Sequence, residues 1–224
     1  NTKVDIKWIE SETCETGDLN QIFDGVDGVL IPGGFGKRGT EGMINTVKYV
    51  REHNIPFLGL CLGMQIASIE FARDVLGYTD ANSTELNPDT KHPVIYLMPD
   101  QMGVVDMGAT MRLGAYPCEL AKGSLAEKLY KTNNISERHR HRYEFNNAYK
   151  DEFKEHGMNV SGIYPKKGIA EIIELKNHPF FIATQAHPEF KSTLLNPHPL
   201  FVGFVKASHE HKNQRKLAEK NKAQ

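Results

Sequence analysis

The first third of the chain carries its hydrophobic residues in several distinct patterns. In VDIKWI (4–9) apolar and polar residues alternate, which is typical of a half-buried strand. GVLIPGG (28–34) and IPFLGL (55–60) are short apolar runs that predict buried strands, and the first ends in a Pro-Gly-Gly breaker. In 40–54 the apolar residues recur at helical spacing, with Thr40 as the predicted N-cap.

The segment from Met64 to Leu76 predicts a buried helix, because its apolar residues surround nearly the whole circumference. The resulting order of strand, loop, helix, strand, tight turn and helix is typical of α/β proteins with parallel sheets. We therefore expect an α/β fold with an open, mainly parallel sheet that is flanked by helices.

The second half of the chain predicts a β-rich extension of the same domain, since neither a linker nor an internal repeat is evident. Strands are predicted at 94–98, 110–114, 160–165, 170–175 and 180–185, and helices at 124–130 and 146–156. After Val205 the sequence contains almost no apolar residues. We interpret residues 1–207 as one domain and 208–224 as a polar tail, frayed helical or disordered, rather than as a basic binding arm.

Composition narrows the class of protein. Of 224 residues, 39% are hydrophobic, and the net charge of −1 gives no electrostatic basis for binding nucleic acid or an anionic membrane. The sequence has no apolar run of about 18 residues and no basic-then-apolar leader. Its three cysteines are odd in number and widely spaced, which favours a reducing compartment over a disulfide framework. We expect a cytoplasmic protein without a nucleic-acid or membrane partner.

One turn carries candidate nucleophilic chemistry. Gly59-Leu60-Cys61-Leu62-Gly63 joins a predicted buried strand to a predicted buried helix, as a nucleophile elbow requires. The glycines permit a sharp turn, and the helix N-terminus favours thiolate over thiol. The amide of Leu62 is placed to bind an oxyanion. The other interpretation of Cys61 is a small buried hydrophobe, which free cysteine usually is.

A nucleophile of this kind needs a base, and His187 directly follows the predicted strand 180–185. Glu189, two residues further on, is spaced to orient the imidazole and to complete a Cys-His-Glu triad. Taken alone, His187 would be a loop histidine before a proline, so the triad depends on the elbow. The glycine-rich PGGFGKRG (32–39) lacks the phosphate-binding signatures. Its amide near Gly34 is the predicted second half of an oxyanion hole.

With these three elements the chain resembles the class I glutamine amidotransferases, which hydrolyse the side-chain amide of glutamine through a cysteine thioester and deliver ammonia to a partner domain. GLCLGMQ and HPE match the nucleophile and base motifs of that family. Further stretches narrow the resemblance to a bacterial-like branch whose synthetase domain aminates UTP: PGGFGKRGTEG, DANSTEL, MRLGAYPC, ERHRHRYEFNN and HPLFVGFVKA. The resemblance covers residues 4–207 and implies a flavodoxin-like fold.

The resemblance also implies roles for individual residues. Cys61 would be the nucleophile, His187 the base and then the acid, and Glu189 the group that orients the imidazole. Contacts to glutamine or to the oxyanion are implied for Gly34, Leu62, Gly63, Met64, Gln65, Glu85 and Arg142. Glu85 suits the ammonium of a free amino acid, and Arg142 suits its carboxylate.

The family pattern is incomplete in this sequence. It lacks the synthetase domain, and it lacks the glycine-bearing strand and the helix that precede the strand matching VDIKWI. We therefore expect a fragment or one part of a split enzyme, with no cofactor in this domain and with ATP and magnesium bound by the synthetase domain. The expected partners are L-glutamine, that synthetase domain and, in the full-length form, further copies of the same chain.

Several alternatives stay open at this point. One is another triad glutaminase, serving GMP, carbamoyl phosphate or anthranilate synthesis, although ANSTE and RHRHRYE argue against it. A cysteine peptidase or γ-glutamyl hydrolase on the same fold and an inactive interaction module are two more. A zinc site is the last, but no cysteine pair at finger spacing accompanies its candidate ligands His139, His141, His209 and His211.

Overall fold

The computed structural model describes residues 2–97 and 111–222. The described strands are β1 Val29–Ile31, β2 Phe57–Leu60, β3 Asn82–Ser83, β4 Pro93–Tyr96, β5 Arg112–Leu120, β6 Asn134–His141, β7 Glu144–Phe145, β8 Met158–Tyr164, β9 Ile169–Leu175 and β10 Phe181–Thr184. The described α-helices are α1 Thr13–Thr16, α2 Leu19–Ile22, α3 Thr40–Glu52, α4 Leu62–Asp74, α5 Leu125–Tyr130, α6 Lys150–Glu155 and α7 Pro199–Lys222. The predicted strands 94–98 and 110–114 each reach into residues 98–110, which lie outside the described part.

The larger sheet is mixed, with seven strands in the order β1-β2-β10-β9-β8-β5-β6. β1, β2 and β10 are parallel, whereas every neighbouring pair from β10 to β6 is antiparallel. The α/β fold with flanking helices is confirmed, but within this sheet parallel pairing is confined to three strands; in the smaller sheet β3 and β4 are also parallel. The reason is connection length, because only a long crossover can join parallel strands and short turns such as the one between β8 and β9 enforce antiparallel pairing.

The central strands are buried on both faces, which explains their uninterrupted apolar runs. Phe57 and Phe181 face one core cluster, which is covered by α3 and α4. Their neighbours Leu58 and Ile182 face a second cluster on the opposite side, where α5 and α7 pack. Helix α4 is buried at every position from Leu62 to Ala72, as its all-round apolar pattern predicts. β3, β4 and β7 form a small separate sheet.

Two predictions at the amino end are wrong. Residues 4–9 form no strand, and Val4, Ile6 and Trp8 are 56%, 69% and 88% exposed. Alternation favours a strand, but a strand also needs a neighbour for its backbone hydrogen bonds, and none of the described strands pairs with this segment. Thr40 is not the cap of α3, because Gly39 occupies that position and the Thr40 hydroxyl donates to the Lys37 carbonyl instead.

Strand β6 is not predicted by apolar periodicity. Its inward positions are polar, since Glu137, His139 and His141 are buried while the residues between them are exposed. The polar tail belongs to α7, which continues without a break past residue 207 to Lys222. Arg215 anchors this part of α7 to the Asp27 carboxylate, 2.9 Å away. Within the described ranges, no helix combines the length and apolarity needed to cross a membrane.

Candidate active site

Cys61 lies in the tight turn between β2 and α4, in a backbone conformation that a residue with a side chain rarely adopts. Its φ and ψ are 49° and −98°. The Cys61 amide donates to the Thr184 carbonyl of the adjacent strand at 2.8 Å, which holds the turn in place. A Cβ on Gly63 would come within 2.4 Å of the Ile31 carbonyl oxygen, so only glycine permits this approach. The strand–turn–helix geometry predicted around Cys61 is therefore present.

His187 and Glu189 form a hydrogen-bonded pair at the same edge of the sheet. The His187 Nδ1 and a Glu189 carboxylate oxygen are 2.6 Å apart, and the His187 backbone amide donates to the Arg138 carbonyl. The ring of Phe190 stacks on the imidazole. Because β2 and β10 are parallel neighbours, their carboxyl ends deliver Cys61 and His187 to one place.

Gly33 shows how close the two candidate catalytic side chains lie. A Cβ built on Gly33 would be 2.7 Å from His187 Cε1 and 3.5 Å from Cys61 Cβ. The Pro-Gly-Gly segment after β1 therefore passes directly against both residues. A Cβ on the next residue, Gly34, would lie 3.1 Å from a Leu62 methyl group, so Gly34 and Leu62 also adjoin each other.

The resting Cys61 is a thiol rather than a thiolate. Burial raises its pKa to about 12, and this effect exceeds the opposing hydrogen bonds from the Leu62 amide and the Gln185 side chain. The carboxylates of Glu189 and Glu144 raise the pKa further. Burial therefore acts against the thiolate that the helix N-terminus is expected to favour, and that expectation stays a prediction. A nucleophilic role for Cys61 would therefore require a base that takes the thiol proton.

Among the residues expected to hold glutamine, Gln65 contacts the Gln185 side chain, which lies against Cys61, and Glu85 and Arg142 influence each other. The Gln65 side chain is buried and donates to the Tyr143 carbonyl. Glu85 is half-buried, so that burial raises its pKa and the positive charge of Arg142 opposes the shift. Carboxylate and guanidinium are therefore within electrostatic reach of each other. Met64 contributes its side chain to the core, so only its backbone is available to a ligand.

A buried ionic cluster behind the site was not predicted from the sequence. Arg112 Nη1 lies 3.2 Å from a Glu144 oxygen and 2.7 Å from a Glu171 oxygen. Burial raises the pKa of Glu144 to about 8 and that of Glu171 to about 7, and it lowers the pKa of His139 and His141. The RHRHR motif thus turns its histidines inward. Among residues 2–97 and 111–222, no three His, Cys, Asp or Glu side chains are arranged to hold a metal ion.

Gln185 is a further residue of the site that the sequence analysis did not identify. It is fully buried, and its side-chain amide lies 3.6 Å from the Cys61 sulfur. Its position two residues before His187, directly after β10, is the signal that could have indicated it.

A family model described as "Glutamine amidotransferase class-I" matches residues 1–207. The chain belongs to the class-I glutamine amidotransferase family, as its resemblance predicts. Within that family, the chain is 55% identical over 213 residues to the CTP synthase of Flavobacterium psychrophilum. The aligned region covers 95% of this chain and 40% of the relative. It is 52% identical over 215 residues to the CTP synthase of Bacillus subtilis, with 96% and 40% covered.

Solved structures agree with this placement. The chain matches a structure titled "Trypanosoma brucei CTPS - glutaminase domain with bound acivicin" with a TM-score of 0.87 and 38% identity, covering 93% of this chain and 82% of that one. A putative GMP synthase component from Thermoplasma acidophilum matches with a TM-score of 0.58 at 17% identity, covering 88% of this chain and 80% of that one, and it supports the fold alone. The chain spans about 40% of the length of its CTP synthase relatives.

Proposed function

We propose that this chain is the glutaminase domain of a CTP synthase. In this proposal it hydrolyses L-glutamine to glutamate and ammonia, and the ammonia serves the ATP-dependent amination of UTP in pyrimidine nucleotide biosynthesis. The observation that carries the proposal is the meeting of Cys61 with the hydrogen-bonded pair His187–Glu189 at the carboxyl ends of β2 and β10.

The chemistry starts with the attack of the Cys61 sulfur on the side-chain amide carbon of glutamine. His187 takes the thiol proton at Nε2, which is buried and has no hydrogen-bond partner among the described atoms, while Glu189 holds Nδ1. The amides of Gly34 and Leu62 stabilise the oxyanion of the tetrahedral intermediate. His187 then gives the proton to the leaving nitrogen. Ammonia departs, and the rest of the substrate stays bound to Cys61 as a thioester.

The second half of the reaction releases glutamate. His187 takes a proton from a water molecule, whose oxygen attacks the thioester carbon and displaces the Cys61 sulfur, which recovers the proton. Glu85 binds the substrate ammonium and Arg142 its carboxylate, which selects a free amino acid. Gln65 also contacts the substrate in this proposal, and its contacts with the Tyr143 carbonyl, next to Arg142 in sequence, and with Gln185, beside Cys61, support that role.

The partner in this proposal is a synthetase domain, which binds ATP and magnesium, and the complete enzyme is a cytoplasmic homo-oligomer. Two observations support such a partner. The CTP synthase relatives are about two and a half times as long as this chain. Phe35, Phe190 and Leu113 are also 93%, 56% and 63% exposed around the site, which suits a surface that a second domain covers.

The test is release of glutamate and ammonia from glutamine by the purified chain, alone and with a separately produced synthetase part of a relative. Cys61→Ser should abolish hydrolysis and leave the circular dichroism spectrum unchanged. A glutamine-like electrophile such as acivicin should label Cys61. Labelling at Cys14 or Cys118 would refute the nucleophile assignment. Cleavage of γ-glutamyl peptides but not of glutamine would favour a γ-glutamyl hydrolase, and inactivity with the partner present would favour an interaction module.

A further inference from the structure

Gln185 is a buried polar side chain at the centre of the candidate site. It follows β10 directly, and its backbone amide donates to the Glu171 carbonyl at 2.9 Å, which fixes the chain at this point. Its side chain is 0% exposed and meets two groups, the Cys61 sulfur at 3.6 Å and the Gln65 amide at 3.4 Å. A buried amide of this kind is retained only where its hydrogen bonds are satisfied.

The orientation of the Gln185 amide follows from a backbone carbonyl. The Tyr143 carbonyl can only accept, so the Gln65 atom 3.4 Å from it is the donor Nε2. The same Gln65 Nε2 lies 3.4 Å from Gln185, which must therefore present its acceptor Oε1 there. The Gln185 Nε2 is then left to face the Cys61 sulfur and can donate to it.

We propose that Gln185 is a positioning residue that stabilises the developing thiolate of Cys61 by donating an amide hydrogen bond to the sulfur, with Gln65 holding the donor in the correct orientation. The inference rests on the proposed role of Cys61 as the nucleophile. Gln185 acts through Cys61 and makes no contact with substrate in this assignment.

The charges around Cys61 explain why such a donor is needed. The carboxylates of Glu189 and Glu144 both disfavour a negative sulfur, and burial disfavours it further. The Leu62 amide and the Gln185 amide are the two hydrogen-bond donors that oppose these effects. The Leu62 amide is also proposed to bind the substrate oxyanion. Gln185 is therefore the donor that stays with the sulfur during the reaction.

The experiment measures thiolate formation directly, through the rate at which iodoacetamide alkylates Cys61 between pH 6 and 10, with the site identified by mass spectrometry. Gln185→Met keeps the length of the side chain and removes the donor. Loss of one hydrogen bond to a charged group should lower the alkylation rate at a fixed pH by about tenfold, because the pKa rises by about one unit. Glutamine turnover should show a lower kcat with KM nearly unchanged.

Two further variants make the result decisive. Gln65→Met removes the group that orients Gln185 and should also lower the alkylation rate, by a smaller factor. If Gln185→Met does not fold, the Gln65→Met variant tests the inference in its place. Ser68→Ala is the matched control, because it removes one buried hydrogen bond from α4, to the Met64 carbonyl. Its alkylation profile should equal that of the unmodified chain.

An unchanged profile in the folded Gln185→Met variant, or in Gln65→Met where that variant decides, overturns the inference. Alkylation does not require glutamine hydrolysis. A shifted profile in a chain that hydrolyses no glutamine even with the synthetase part present would therefore support the inference and refute the proposed function. Hydrolysis by the unmodified chain together with an unshifted variant profile would support the proposed function and refute the inference about Gln185.

Discussion

Replacing Gly33 by alanine should disable the candidate site without disturbing the fold. Gly33 lies in the segment after β1, and its φ is not in the left-handed region, so the backbone itself accepts alanine. The added methyl group would stand 2.7 Å from His187 Cε1 and 3.5 Å from Cys61 Cβ. The perturbation therefore acts on Cys61 and His187, the two residues that exchange a proton in the proposed mechanism.

The size of the effect follows from the distances. Carbon atoms in ordinary contact are about 3.5 Å apart or more, so the imidazole must move by about 0.8 Å to accommodate the methyl group. Its hydrogen bond to Glu189 resists this movement. A misplacement of about 1 Å can cost on the order of 10²-fold in rate, so we expect kcat to fall between about ten- and a hundredfold.

The neighbouring glycine provides the matched control. A Cβ on Gly34 would meet only the end of the Leu62 side chain, at 3.1 Å, and that end can rotate away. Gly34→Ala keeps its backbone amide and its methyl group does not meet His187, so it should lower kcat clearly less than Gly33→Ala does. Both variants are compared by glutamate release under saturating glutamine, with thermal unfolding as the check on folding.

Two results would refute this reasoning. Full activity in Gly33→Ala would mean that His187 does not act at the position seen here. An equal loss in both variants would mean that the segment tolerates no side chain for a reason other than the approach to His187.

Further predictions concern the base, the substrate contacts and the buried cluster. His187→Ala should lower turnover by orders of magnitude, because His187 takes the thiol proton and returns it to ammonia, whereas Glu189→Gln should cost less because the amide retains part of the orientation; the opposite order would reverse their roles. Glu85→Ala and Arg142→Ala each remove a charge-assisted contact worth about 1.5–3 kcal/mol. Glutamine titrations should therefore show KM raised by about ten- to a hundredfold, and an unchanged KM in both variants would refute the pocket. The pKa of Glu144 is raised from 4.5 to about 8, so the folded chain keeps a proton that the unfolded chain releases. The stability this group contributes is present below about pH 4.5 and is lost as the pH rises through 8, at up to about 1.4 kcal/mol per pH unit. Urea unfolding should show a smaller loss in Glu144→Gln than in the unmodified chain, because the raised pKa of Glu171 contributes to both curves. Parallel curves would contradict this prediction.

The sequence predicts those parts of the fold whose buried positions are occupied by apolar residues. The run 55–60 and the glycines around Cys61 predict β2, the turn and α4, because a strand buried on both faces needs continuous apolar side chains. Strand β6 escapes this criterion, since Glu137, His139 and His141 are buried through polar partners that only the folded chain brings together.

Strand formation by residues 4–9 fails for the opposite reason. The alternating pattern is local, whereas pairing depends on a neighbour elsewhere in the chain. The same limit applies to the site. Cys61, His187 and Glu189 could be proposed from motifs, and their roles stay predictions. For Gln185 the sequence offers one signal, its position two residues before His187, but only the fold shows that its side chain lies 3.6 Å from the Cys61 sulfur.

The place of β10 in the sheet has a consequence for biosynthesis. β10 is one of the last strands in the sequence, yet it sits between β2 and β9, with Phe181 opposite Phe57. A chain emerging from the ribosome therefore contains Cys61, the proposed nucleophile, long before it contains His187, the proposed base. Contacts of such sequence separation also form slowly. Under the proposed function, a nascent or truncated chain that ends before His187 should therefore hydrolyse no glutamine.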